Sequence, residues 1–287
     1  MIRINPILLG LSLAVAGSSM AAAQQTASMP KVLQITREYL KPYKNGMAHD
    51  KTESAFIATL SKAKFPAYYV GLNSLSGKSR ALYLTQYDSF ETWEKDNKLV
   101  EKNAALAAGL EHASVADGEL LDSVDSVVYT YDEDLSYHPH ADITHARYME
   151  ITVFKVRLGH REDFEKLTKM VKDGHEKGGT SAHWATFEIA YGTDDGTYIV
   201  LSADKSMADI DAGFSQGKKF RDALGDEGMK KLDELYGSTV ESSHSELFSI
   251  NPRQSYVGED WIKADPDFWK PKAAPAPKAA ADADKKP

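Results

Sequence analysis

His138, His140 and His145 lie close together in the segment SYHPHADITH. A His-x-His pair on a strand puts both imidazoles on one side, as some metal sites need. Pro139 interrupts regular pairing there, and no carboxylate or thiol stands at a familiar zinc spacing. The three remain candidates, the segment also reads as a solvated linker, and no metal is assigned. His49 and His160 each fall near the start of a helix, where an imidazole can cap the helix or hold an anion. Their recurrence at matching places favours a structural junction. His183 beside Trp184 opens a strand and reads as a satisfied rim histidine or as an acid/base group at a cavity mouth. His175 and His112, near helix ends, read as solvated.

A second set consists of carboxylates inside strand-like runs: Glu38, Glu150 and Glu188, with Tyr69, Gln86, Tyr148 and Trp184 at positions of the same parity. Burying a carboxylate costs on the order of several kcal/mol unless it is hydrogen-bonded or protonated. A space lined by this mixture is therefore expected to be a ligand cavity or a hydrated seam. The competing reading puts these carboxylates at strand ends, facing water. Either way, these seven residues are the candidate ligand-binding set; no catalytic residue is assigned, the cofactor is unknown, and whether the chain is an enzyme stays open. The chain has no cysteine, which excludes thiol chemistry and cysteine-ligated clusters. No G-x-S-x-G, G-x-G-x-x-G, G-x-x-x-x-G-K-[ST] or H-E-x-x-H is present, so serine-hydrolase, dinucleotide, P-loop and zincin readings have no local support.

The elements that position these residues repeat. LQITREYLKP from Leu33 has its counterpart in MEITVFKVRLG from Met149. Each alternates as a strand does and then meets a breaker, Pro42 with Asn45-Gly46 or Gly159. Helices follow, the first with Asp50 as expected N-cap and the stripe Phe56, Leu60, Ala63, the second with the stripe Phe164, Leu167, Val171, Gly174. A hairpin comes next in each copy, then a helical region from Ser89 or Ser206, then a strand, Asp125 to Tyr131 or Ser245 to Ile250. The order is β-α-β-β-α-β, twice.

That order is the ferredoxin-like split βαβ arrangement. With its REYLKP…G and YDSFETWEK segments, the chain resembles the dimeric α/β-barrel superfamily, which includes antibiotic-biosynthesis monooxygenase-like, EthD-like and NIPSNAP-like domains. The resemblance spans Val32 to Ile250. It implies an α+β fold: two tandem ferredoxin-like units whose antiparallel sheets pack face to face as an intramolecular α/β barrel. Within each sheet, Leu33, Ile35, Met149, Ile151 and Val153 are expected under the helices, and the mixed set toward the partner sheet.

The expected organisation is a signal peptide at 1–23, units at 30–135 and 147–258, a linker at 136–146, and a disordered Ala/Pro/Lys-rich tail at 259–287. Arg3, the apolar run Ile7 to Ala16 and Ala21-Ala22-Ala23 form the signal pattern, implying a periplasmic or secreted protein cleaved near Ala23. The formal net charge is −8 with acids and bases interspersed. No basic patch suggests nucleic acid, and no apolar run in the mature chain is long enough for a transmembrane span. Two functions follow. One is non-catalytic binding of a small molecule between the sheets. The alternative, implied by the resemblance, is a small-molecule oxygenase, cofactor-independent or haem-dependent, for which His183 or His244 would be the iron ligand. The oligomeric state is left open.

Overall fold

Each strand run of the sequence becomes a strand, and each Gly/Ser or Asp-Gly turn closes a hairpin. The computed structural model describes residues 29–44 and 46–270; the expected signal segment and residues 271–287 of the expected tail lie outside them. The first unit runs β1 (Val32–Leu40), α1 (Met47–Ala63), β2 (Tyr69–Ser74), β3 (Arg80–Tyr87), α2 (Phe90–Lys102), α3 (Ala104–Gly118) and β4 (Leu121–Tyr137). The second runs β5 (Tyr148–Val156), α4 (Arg161–Gly178), β6 (Trp184–Tyr191), β7 (Thr197–Asp204), α5 (Met207–Ser215), α6 (Gly217–Thr239) and β8 (Val240–Ile250). The second helical region of each unit is thus two helices. Asn103 restarts the chain in the first unit, its side chain accepting from the Leu106 amide at 3.1 Å. Ser89 and Ser206 cap as their spacing suggests, accepting from Thr92 and Asp209 amides. Asp50 does not cap α1: Gly46 holds that position, and the Asp50 carboxylate instead accepts from Asn251 and Gln254 side chains, each at 2.9 Å.

The strand order is β1-β3-β2-β8-β5-β7-β6-β4, and β4 returns to β1, which closes the antiparallel ladder into a barrel. The two sheets do not merely stack. They are joined at both edges, by β4 with β6 over Val128–Tyr137 and by β2 with β8 over Leu72–Ser74. That second role explains why β4 runs on past Tyr131, whereas the earlier start of β8, at Val240, comes from its pairing with β5.

Closure decides which face is dry. A ring of eight strands has an interior just wide enough for side chains to fill. Leu33, Ile35, Met149 and Ile151 fill it, in one cluster with Leu72, Phe187 and Phe248 from both units. The side assigned from the sequence is therefore reversed. The alternation was read correctly except at Gln86, which shares the face of Leu33, but the apolar set points inward and the rest of the mixed set lies on the helix side. The space between the sheets is packed with side chains, so a ligand bound there, as the sequence suggested, is not what the structure offers.

The helix pairs pack closely where glycine allows. A Cβ on Gly109 of α3 would sit 2.6 Å from Thr59 of α1, and one on Gly174 of α4 would sit 2.5 Å from Phe220 of α6. Both boundaries drawn around the units shift. β4 continues through the buried Leu135, Ser136 and Tyr137, so the linker begins at His138. The expected tail is folded at its start: α7 (Glu259–Ala264) and α8 (Pro266–Trp269) close one end of the interior. Trp269 is 4% exposed and donates from Nε1 to the Thr144 carbonyl at 2.8 Å. The Arg147 guanidinium lies over the Phe268 ring at 3.8 Å and pairs with Asp265. Four aromatic and aliphatic side chains over this stretch were enough apolar surface to dock it. Among the described residues, no helix is long and apolar enough to cross a membrane.

Candidate functional site

In the second unit a cavity of about 300 Å³ lies between the outer face of the sheet and helices α4 and α6. Its existence follows from the α4 stripe. Phe164, Leu167 and Val171 recur at helical spacing and face the sheet, where Thr152 and Phe154 of β5 and Val200 of β7 oppose them. Leu232 and Tyr236 of α6 form the far wall. The lining is apolar except for a few groups, which is the usual make-up of a small-molecule site.

Those few groups are well fixed. Trp184 Nε1 and Thr186 Oγ1 both donate to the Leu135 carbonyl, at 2.9 and 3.0 Å. His175 reaches the cavity from the last turn of α4, its ring 4.6 Å from that of Phe220 and 5.7 Å from that of Trp184, centroid to centroid. Its Nδ1 is engaged by Thr180 Oγ1 at 2.9 Å, leaving Nε2 as the nitrogen available to a ligand. Burial lowers the His175 pKa, so the imidazole is neutral at neutral pH and can accept a hydrogen bond or a proton.

Of the seven candidate ligand-binding residues, Trp184 lines this cavity. Glu188 sits at the N-terminal end of α4, paired with Arg161, while Tyr198 donates to it at 2.9 Å. Arg161 also reaches Asp132 at 3.3 Å. Glu188 and Asp132 thus belong to an ion-pair network, not to a ligand wall. Glu150 is half-buried on β5, its pKa raised by desolvation and then by the charge of Asp204. Tyr148, on the same strand, pairs with Asp204 and Ser249 across the sheet. Glu38, Tyr69 and Gln86 belong to the first unit. Gln86 is exposed near the end of β3, and Glu38 and Tyr69 face the helices there.

The histidines distribute differently from their sequence reading. His138, His140 and His145 do not converge: His145 Nδ1 pairs with Asp142 at 2.8 Å, His138 stands 3.8 Å from Glu176, and His140 is exposed. His183 is a satisfied rim residue, its ring nitrogens at the carbonyls of Ser181 and Ala203, 3.2 and 2.9 Å away. His244 is exposed on β8. Neither offers a nitrogen to a group in the cavity, so neither is the haem ligand the resemblance suggested. His175, read as solvated, is the imidazole the cavity does present. The signal for it was available: it follows Phe164, Leu167 and Val171 on the α4 stripe, one helical step beyond Val171.

No family model matches the sequence, and no curated protein matches it. Solved structures do. A candidate monooxygenase from Fusobacterium nucleatum subsp. nucleatum superposes with a TM-score of 0.51 at 9% identity, over 78% of this chain and 93% of that one. A mutant chlorite dismutase from Candidatus Nitrospira defluvii superposes with a TM-score of 0.50 at 8% identity, over 82% and 95%. The likeness shows the dimeric α/β-barrel fold; at these identities it shows nothing of chemistry.

Proposed function

We propose that this chain, exported through its Met1–Ala23 leader, binds a small, flat, largely apolar molecule in the cavity of the second unit without transforming it. The observation that supports the reading is the lining itself. An apolar slot walled by Phe164, Leu167 and Leu232 accepts a flat ring, while His175 gives it one polar contact and thereby an orientation. At about 300 Å³ the space stands at the lower end of ligand sites, which run to about 1,000 Å³. A haem does not fit it. The macrocycle's two carboxylates would need basic partners, and no Lys or Arg lines the cavity.

The oxygenase alternative has one observation in its favour. A cofactor-independent oxygenation begins by removing a proton from the substrate, and His175, which burial holds in its neutral form, has a free nitrogen to receive one. Binding and catalysis are separable with 1-naphthol as probe. Binding should quench Trp184 fluorescence and raise the melting temperature, and Val171→Trp should remove both effects. Unchanged spectra of the probe after prolonged incubation in air support binding alone; oxygen uptake abolished by His175→Ala supports the oxygenase. Saturable binding that survives Val171→Trp would place the ligand elsewhere. N-terminal sequencing of the exported protein should begin at Gln24.

A further inference from the structure

The corresponding place in the first unit, between the sheet and helices α1 and α3, is built from charged side chains. It holds Glu38 from β1, His49 and Glu53 from α1, and Asp117 from α3, all buried, each offering one ligand atom within 4.8 Å of the others. His49 Nε2 is 3.0 Å from Glu38 Oε2, 3.5 Å from Asp117 Oδ1 and 3.9 Å from Glu53 Oε1. Donor atoms about 2.0–2.2 Å from one ion stand roughly 3–4.4 Å apart, so these separations are those of a common first shell.

Two further observations point to a ligand. Glu53 is 3% exposed, and its Oε1, aimed into the group, has no hydrogen-bond partner. A buried acceptor left unpaired is destabilising, the more so when charged, unless something else occupies it. Gln254, fully buried behind the imidazole, contacts His49 Nδ1 through Nε2 at 3.2 Å, and its own Oε1 is likewise unpartnered. Turning that amide would present Oε1 to an Nδ1–H, the outer bond that orients a metal-bound imidazole, at the expense of the Nε2 bond to Asp50 Oδ1. The remaining ligands are already held: Thr52 donates to Asp117 Oδ1 at 2.5 Å, and the Tyr83 hydroxyl lies 3.5 Å from His49 Nε2.

We propose that Glu38, His49, Glu53 and Asp117 bind one divalent first-row transition cation. Three carboxylates and one imidazole, with no sulfur, suit Mn²⁺, Fe²⁺ or Zn²⁺ and disfavour Cu⁺. The carboxylates counter the ion's charge in a buried place, and the ion would add to the side-chain contacts that already join β1 to α1 and α1 to α3.

The test uses the full mature chain, stripped with a chelator in mild urea, refolded with Zn²⁺ or Mn²⁺, gel-filtered and analysed for metal. One ion per chain is expected, with a higher melting temperature than the stripped protein. Glu53→Gln and Asp117→Asn should each weaken retention roughly tenfold or more, and Gln254→Ala by a factor of roughly 10–100. The pair His138→Ala and His140→Ala should retain the ion. Circular dichroism melting separates lost metal from lost fold, and Glu53→Gln is suited to this because glutamine keeps the shape of the buried side chain without its ionisable carboxyl. Failure of the unaltered chain to retain either ion, retention unaffected by both Glu53→Gln and Asp117→Asn, or loss with the two linker histidines would overturn the proposal.

Discussion

Glu53→Gln also has a consequence in the metal-free chain that follows from burial alone. Burial, reinforced by the charges of Glu38 and Asp117, pushes the Glu53 carboxyl up from 4.5 to about 9. Its folded-state pKa is raised, so the folded chain holds a proton the unfolded chain gives up. The associated stability is fully present below about pH 4.5 and is lost as pH climbs toward about 9. Each pH unit in that window costs about 1.4 kcal/mol, so by pH 7 the loss is on the order of 3 kcal/mol. Glutamine has the same shape, carries no charge, and forfeits no hydrogen bond at the unpartnered Oε1. In chelator, the variant should match the parent near pH 4.5 and exceed it by about 3 kcal/mol at pH 7. Urea titrations at several pH values measure this, provided the slopes agree between the two proteins. A difference that stays flat between pH 5 and 7 would refute the reasoning, because the carboxyl would then ionise as freely folded as unfolded.

Other changes probe the interior and the cavity. Phe187→Ala, at a residue 1% exposed in the shared interior, should cost about 3–5 kcal/mol in urea unfolding while leaving 1-naphthol binding in place at permissive temperature. Trp269→Ala should cost a similar amount by opening the end of the interior that α8 closes, and limited proteolysis should then cut after residue 258. Arg161→Met should cost about 1 kcal/mol or less, with the effect shrinking in salt, because the guanidinium is 51% exposed. His175→Ala should leave the melting temperature nearly unchanged and weaken 1-naphthol binding by roughly tenfold, the worth of one hydrogen bond.

The repeat made the fold legible. Two β-α-β-β-α-β runs, their Ser89 and Ser206 caps and the period-two alternation of each strand all appear where the sequence indicates them. Parity could be read, but not which side of the sheet would be dry. That depended on ladder closure through β4 with β6 and β2 with β8, which involves residues far apart in the chain. The same distance hid the carboxylate–imidazole group. Glu38 was singled out, and His49 and Glu53 are one helical turn apart, but Asp117 approaches only when α3 packs against α1, and Gln254 arrives from beyond β8. His175 was misjudged for a local reason: the end of a helix is often solvated, and here Phe220 and Trp184 cover it.

Joining two copies in one chain changes what each is free to become. A symmetric pair of identical chains must place the same side chains under both sets of helices, because one gene writes both. Here the interior contacts that need symmetry, Ile35 beside Leu84 in one half and Ile151 beside Leu201 in the other, are kept as a shared frame. Outside that frame the halves have parted. Glu38 lies under the first helix pair, and Phe154 stands at the matching point of the second. Tethering also makes their meeting intramolecular, independent of protein concentration. Fusion thus lets a single small protein carry a charged compartment and an oily one on a common scaffold, each able to vary without disturbing the other.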